Sequence, residues 1–136
     1  MRGGVTDTHP LIWFATGQTK KLGPAARSIF EDADRGDGSA LVMIPTVVLH
    51  EISSLRIANK VILKKSFAEW VNSLERNGFL QVVDVGTEMV VRSDSFQLIA
   101  DPFDRLIIGC AHLLEQPLIT IDADIIKSSL VETIWD

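Results

Sequence analysis

Cysteine is nearly absent: Cys110 is the only one in 136 residues. No internal disulfide can form, and a reducing cytoplasm is the compartment that fits best. Cys110 lies in the apolar run Leu106-Ile107-Ile108-Gly109-Cys110-Ala111 and reads as a small core residue. Long apolar runs are missing too. No stretch reaches the roughly 18 residues that would mark a bilayer span. Met1-Arg2-Gly3-Gly4 leads into polar sequence without the apolar region of a signal peptide. The expectation is a protein that neither spans a membrane nor is exported by a standard signal.

Several catalytic signatures are also lacking. His9, His50 and His112 share no metal-ligand spacing, and His50-Glu51 has no second histidine four residues on, which excludes a zinc site of that type. Ser53-Ser54 and Ser128-Ser129 lack the context of a serine hydrolase, and no phosphate-binding glycine loop is present. Positive charge is in deficit, with a net charge of −5. That opposes a non-catalytic nucleic-acid binder, which needs a basic surface for phosphates. It opposes a metallonuclease less, because carboxylates gathered to hold cations make the bare protein acidic. Lys20-Lys21, Lys60 and Lys64-Lys65 are the best basic patches. They read as solvated faces or as contacts to a polyanion backbone.

What is present suits one α/β domain over residues 1–136, long enough to bury a core without cross-links. Short β-branched runs alternate with helical patterns, which predicts a central parallel β-sheet flanked by α-helices. Strands are expected at 3–6, 41–44, 80–83 and 118–121, with a last edge strand within 131–135. Gly3 and Gly4 make the first of these weak. Helices are expected through Pro10–Phe14, over 25–34, from Val47 to Asn59 with Thr46 as cap, and from Leu63 to Asn77. Further helices are expected over 87–99, from Asp101-Pro102 to Glu115, and over 125–130.

On this reading four acids fall on one rim. Asp7 and Asp122 each follow a strand, where the carboxyl ends of an open parallel sheet bind ligands. Glu51 lies a turn inside the helix after the second strand, and Asp104 lies in the first turn of the helix opened by Asp101-Pro102. Clustered carboxylates repel unless cations neutralise them, and hard Mg²⁺ or Mn²⁺ prefer such oxygen ligands. Each acid also has a plainer reading. Asp7, Asp101 and Asp122 suit helix caps, Asp104 complements a helix dipole, and Glu51 sits at the border of a core face. His9, near Asp7, suits a substrate contact or a local hydrogen bond.

Four blocks resemble the PIN-domain ribonucleases, particularly the toxins of bacterial VapBC-type toxin–antitoxin pairs. They are Thr6-Asp7-Thr8-His9 with Leu11-Ile12-Trp13, Ile44-Pro45-Thr46-Val47-Val48-Leu49-His50-Glu51-Ile52, Asp101-Pro102-Phe103-Asp104-Arg105-Leu106-Ile107-Ile108, and Leu118-Ile119-Thr120-Ile121-Asp122. All occur in the family's order and cover nearly the whole chain. The resemblance implies Asp7, Glu51, Asp104 and Asp122 as metal-binding, catalytic acids and Asp101 as an accessory acid. It implies Thr120 as a hydroxyl that orients an acid or a metal-bound water, and Arg105 as a partner for an acid or a phosphate. It further implies Mg²⁺ or Mn²⁺, an RNA substrate, a homodimer and a cognate antitoxin. Ile52, Leu55, Ile57 and Val61 offer an apolar face for a partner's amphipathic helix. Two other classes compete: a non-catalytic binding module with the same fold, and a phosphoryl-transfer domain with an aspartate nucleophile.

Overall fold

Apolar and β-branched runs pair into one twisted layer. The computed structural model describes residues 2–76 and 78–136. Its strands are β1 (Arg2–Thr6), β2 (Ala40–Pro45), β3 (Leu80–Val83), β4 (Leu118–Ile119) and β5 (Thr133–Ile134). They pair in the order β3-β2-β1-β4-β5, all parallel. Val5, Val42 and Ile44 are fully buried on the central strands, as expected of strands covered on both faces. The glycines of β1 do not prevent pairing. A Cβ on Gly4 would stand 3.2 Å from Cγ1 of Ile119, so the bare glycine lets that isoleucine lie against β1.

The helices are α1 (Thr8–Ala15), α2 (Pro24–Arg35), α3 (Thr46–Ile57), α4 (Phe67–Leu74), α5 (Thr87–Ser93), α6 (Pro102–Leu113) and α7 (Ala123–Ser128), with a 3-10 turn at Thr19–Lys21. Helices α2 and α3 pack on β2, α6 packs on β1 and α5 packs on α6. The buried core runs from Phe30 and Ile29 of α2 through Ile44 to Ile107 and Ile108 of α6. Cys110 is part of it. Among the described residues no helix is long and apolar enough to cross a membrane.

Several elements differ from expectation at their ends. Thr46 does not cap α3 with its side chain. Pro45 occupies the cap position, and the Thr46 hydroxyl accepts the N–H of Val85 at 3.0 Å, tying α3 to the exit of β3. Helix α4 starts at Phe67 rather than Leu63, because Ser66 provides the cap by accepting the N–H of Glu69. The expected end of that helix at Asn77 lies outside the described residues. Helix α5 stops at Ser93 instead of Ile99. Ser93 and Ser95 donate their hydroxyls to the carbonyls of Val90 and Arg92, which competes with continuing the helix. Strand β4 ends two residues early, where Thr120 turns its hydroxyl to the N–H of Asp122 at 3.0 Å. Strand β5 is equally short. The carbonyl of Trp135 leaves the sheet and accepts the N–H groups of Ala25 and Ala26, each at 3.1 Å, at the start of α2.

Candidate active site

The chain lays down β1, β2 and β3 in one direction, then crosses to place β4 and β5 on the other side of β1. The order therefore reverses at the β1–β4 pair, the place where an open parallel sheet has its ligand crevice beyond the strand ends. Thr6 is level with Ile119, and the N–H of Asp7 donates to the Ile119 carbonyl at 3.0 Å. Asp7 and Thr120, 113 residues apart in sequence, thus leave the sheet side by side.

Asp7 caps α1. One carboxylate oxygen accepts the N–H of Thr8 and the other accepts the Thr120 hydroxyl, both at 2.7 Å. Its pKa is raised, first by burial and, more weakly, by Asp122; the bonds from Thr120 and Thr8 and the charge of His9 offset part of this. Thr120 is fully buried. While donating to Asp7 it accepts the N–H of Asp122, and Asp122 caps α7 by accepting the N–H of Ile125 at 3.0 Å. Glu51, half-buried in the second turn of α3, accepts the hydroxyl of Thr8 at 2.7 Å.

Asp101 caps α6, accepting the N–H groups of Phe103 and Asp104 at 2.8 and 3.3 Å, and is itself exposed. Asp104, one turn in, is half-buried. Burial, and then the charges of Asp7, Asp101, Asp122 and Glu51, push its carboxyl up to about 7. Capping and clustering are therefore not alternatives here, since Asp7, Asp101 and Asp122 do both. The sequence-predicted acids face one crevice closely enough to influence a common proton. Yet among the described residues no three acid, histidine or cysteine side chains close to the spacing of a complete metal cage. The two findings agree physically, because Coulomb coupling reaches several ångströms beyond direct ligation and unneutralised carboxylates spread apart. The donors are all carboxylate oxygen, the chemistry that suits a hard divalent cation keeping several waters.

Other predicted residues lie elsewhere. Among the described residues Arg105 has no acid within ion-pair distance. Its guanidinium donates to the carbonyls of Ile99 and Ala100 at 2.7 and 3.0 Å, bracing the segment that leads into α6. His9 is exposed and sets its ring 5.9 Å from that of Trp13. Lys64 and Lys65 do not border the acids. With Phe14, Gly17 and Trp70 they line a groove of about 630 Å³ at the C-terminal end of α1, the end away from Asp7. The proposed apolar face is divided: Ile52 and Val61 are buried and Leu55 is half-buried, whereas Ile57 is 71% exposed. Thr8 was not singled out in sequence. Only its place directly after a strand-ending acid marks it.

The family model for the PIN domain matches residues 5–129. The chain belongs to the PIN domain family. Among solved structures, this PIN domain is similar to a chain of DNA-bound VapBC from Salmonella typhimurium, with a TM-score of 0.69, 15% identity and 98% of each chain covered. A chain of VapBC2 from Rickettsia felis, bound to a DNA fragment from its promoter, gives a TM-score of 0.68 at 13% identity, covering 98% of this chain and 99% of that one. A chain of VapBC-5 from Mycobacterium tuberculosis gives 0.57 at 18% identity, again covering 98% of both. At such identities the likeness is one of fold. None of the curated proteins compared matches the sequence.

Proposed function

We propose that this PIN domain is a metal-dependent endoribonuclease, acting in the cytoplasm as the toxin of a toxin–antitoxin pair. The observation that carries the reading is the β1–β4 reversal, where Asp7 and Thr120 leave the sheet side by side and the charges of Asp7, Asp101, Asp122 and Glu51 all act on Asp104. Asp7, Glu51, Asp104 and Asp122 would hold Mg²⁺ or Mn²⁺, which when bound supplies water activation and neutralises phosphate charge in hydrolysis to a 5′-phosphate and a 3′-hydroxyl. Thr120 orients Asp7 and the start of the Asp122 turn. Asp101 adds negative charge at the edge of the crevice. A bound cation would favour the ionised form of Asp104, because its charge would reverse the sign of the local field.

Two of the structural neighbours are toxin–antitoxin proteins from Klebsiella pneumoniae and Mycobacterium tuberculosis, which supports an antitoxin as partner; the homodimer rests on the family resemblance. An arginine from the antitoxin, entering the acidic crevice, would replace the cation's charge through paired hydrogen bonds. The test is cleavage of a structured RNA. Mg²⁺ or Mn²⁺ is expected to support cleavage, EDTA to abolish it, and Asp7→Asn to lower it at least about a hundredfold while keeping the fold, a loss of roughly 3 kcal/mol. Full cleavage in EDTA overturns the metal. Folded protein that takes up Mn²⁺ yet cleaves no RNA points to a binding module instead.

A further inference from the structure

Glu51 is set apart from the other three acids by how it is attached. Asp7 and Asp122 are short side chains fixed as caps, and Asp104 sits in a capped first turn. Glu51 carries three rotatable bonds on the second turn of α3, and its neighbours in the crevice repel it. Without a restraint its carboxylate would rotate toward solvent. Thr8 supplies the restraint. The residue is 1% exposed, so water offers its hydroxyl almost no alternative. That hydroxyl donates to one oxygen of Glu51, while the backbone N–H of the same residue donates to Asp7. On the other side of Asp7, Thr120 donates to the second Asp7 oxygen and accepts from the N–H of Asp122. The bonds form one continuous line: Glu51, Thr8, Asp7, Thr120, Asp122.

We infer that Thr8 is a positioning residue, which holds Glu51 beside Asp7 against carboxylate repulsion, while Thr120 holds the other side of Asp7. The inference rests on the metal-site reading above. It assigns Thr8 no contact with RNA. A hydrogen bond to a carboxylate also lowers that group's basicity, which opposes cation binding. Position dominates, because the bond ties one oxygen of Glu51 to the residue whose N–H holds Asp7, so less side-chain freedom is lost when a cation gathers the acids.

The experiment is Mn²⁺ titration followed by calorimetry, on the full chain, for wild type, Thr8→Val, Thr8→Ser, Glu51→Ala and the Thr8→Val/Glu51→Ala double variant. Thr8→Val is expected to weaken Mn²⁺ binding about tenfold, equivalent to about 1.4 kcal/mol. Thr8→Ser, which restores the hydroxyl, is expected to bind within about twofold of wild type, a difference of roughly 0.4 kcal/mol. In the Glu51→Ala background Thr8→Val should have no further effect, since the two act as one unit. Unchanged Mn²⁺ binding by folded Thr8→Val overturns the inference, and so does an equal loss with and without Glu51. If Thr8→Val fails to fold, Thr8→Ala replaces it under the same criteria. Wild-type protein that takes up no Mn²⁺ overturns both this inference and the metal site. RNA cleavage separates the two readings otherwise: a cleaving wild type with a neutral Thr8→Val sinks only the positioning role, and a Thr8-dependent Mn²⁺ site without cleavage sinks only the nuclease.

Discussion

At the N-terminus of α6, Asp104 keeps its proton well above the usual carboxylate range, mainly because it is half-buried and secondly because four other acids face it. The sign of the resulting pH dependence follows directly. The unfolded chain releases this proton near 3.9, whereas the folded protein holds it up to about 7. Between those values the native state binds more protons than the unfolded one, so the metal-free protein loses stability as pH rises through this window. Asp104→Asn keeps the shape and removes the charge. Urea unfolding of EDTA-treated protein should show the variant more stable than wild type by about 1–3 kcal/mol above pH 7, and little different near pH 4. A wild-type stability that climbs with pH between those limits would show that Asp104 is not strained by its neighbours. All four acids could be singled out from sequence, because strand ends and helix starts are local features that β-branched runs, prolines and caps announce. The partner of Glu51 could not. Thr8 lies 43 residues away, and nothing in either segment alone specifies that they meet.

Helix α6 brings Asp104 to the crevice, and its height there depends on how closely α5 packs along it. Gly109 sets that distance. A Cβ at this position would stand 2.9 Å from the carbonyl oxygen of Met89, a backbone atom that cannot rotate away, and 3.5 Å from Cβ of Ser93. Intrinsic propensity favours alanine over glycine in a helix by about 1 kcal/mol. Overpacking opposes it by about 1–3 kcal/mol, and a backbone obstacle puts this case at the upper end. Gly109→Ala is therefore expected to destabilise the protein by about 1–2 kcal/mol in urea unfolding, the net of those two effects. A stabilised variant would mean that α5 yields freely. The same contact explains why element ends were harder to read than elements. Proline at 102 and glycine at 78 punctuate the chain locally, but the shortening of α5, and the use of the Thr46 hydroxyl on Val85 instead of its own helix, depend on neighbouring serines or on a strand far along the chain.

The last residues close the molecule onto its beginning. The Trp135 ring stands edge-on to Trp13 at 6.1 Å, Lys21 lies 5.8 Å over the same Trp13 ring, and the Trp135 carbonyl covers the start of α2. A Cβ on Gly23 would collide with that carbonyl, so glycine is required for the approach. Trp13 sits on α1, the helix that Asp7 caps. Trp135→Ala is expected to lower stability by about 2 kcal/mol, less than a fully buried tryptophan because the ring is partly exposed. It should also raise amide exchange in α1 and α2 ahead of the central strands. Loss confined to β5 would show that the tail does not brace α1.

Local chemistry determined much of this protein from sequence alone. Hydrophobic periodicity and turn residues specified alternating strands and helices, and capping acids marked where α1, α6 and α7 begin, because both depend on residues close along the chain. Tertiary structure decided the rest. Only the crossing from β3 to β4 places Asp7 beside Thr120, brings the helix-start carboxylates of α1, α6 and α7 together with Glu51 of α3, and leaves Lys64 and Lys65 at the far end of α1. A carboxylate's proton affinity depends on burial and on charges brought near by folding, so Asp104 carries no sign in sequence of the value it has in the fold.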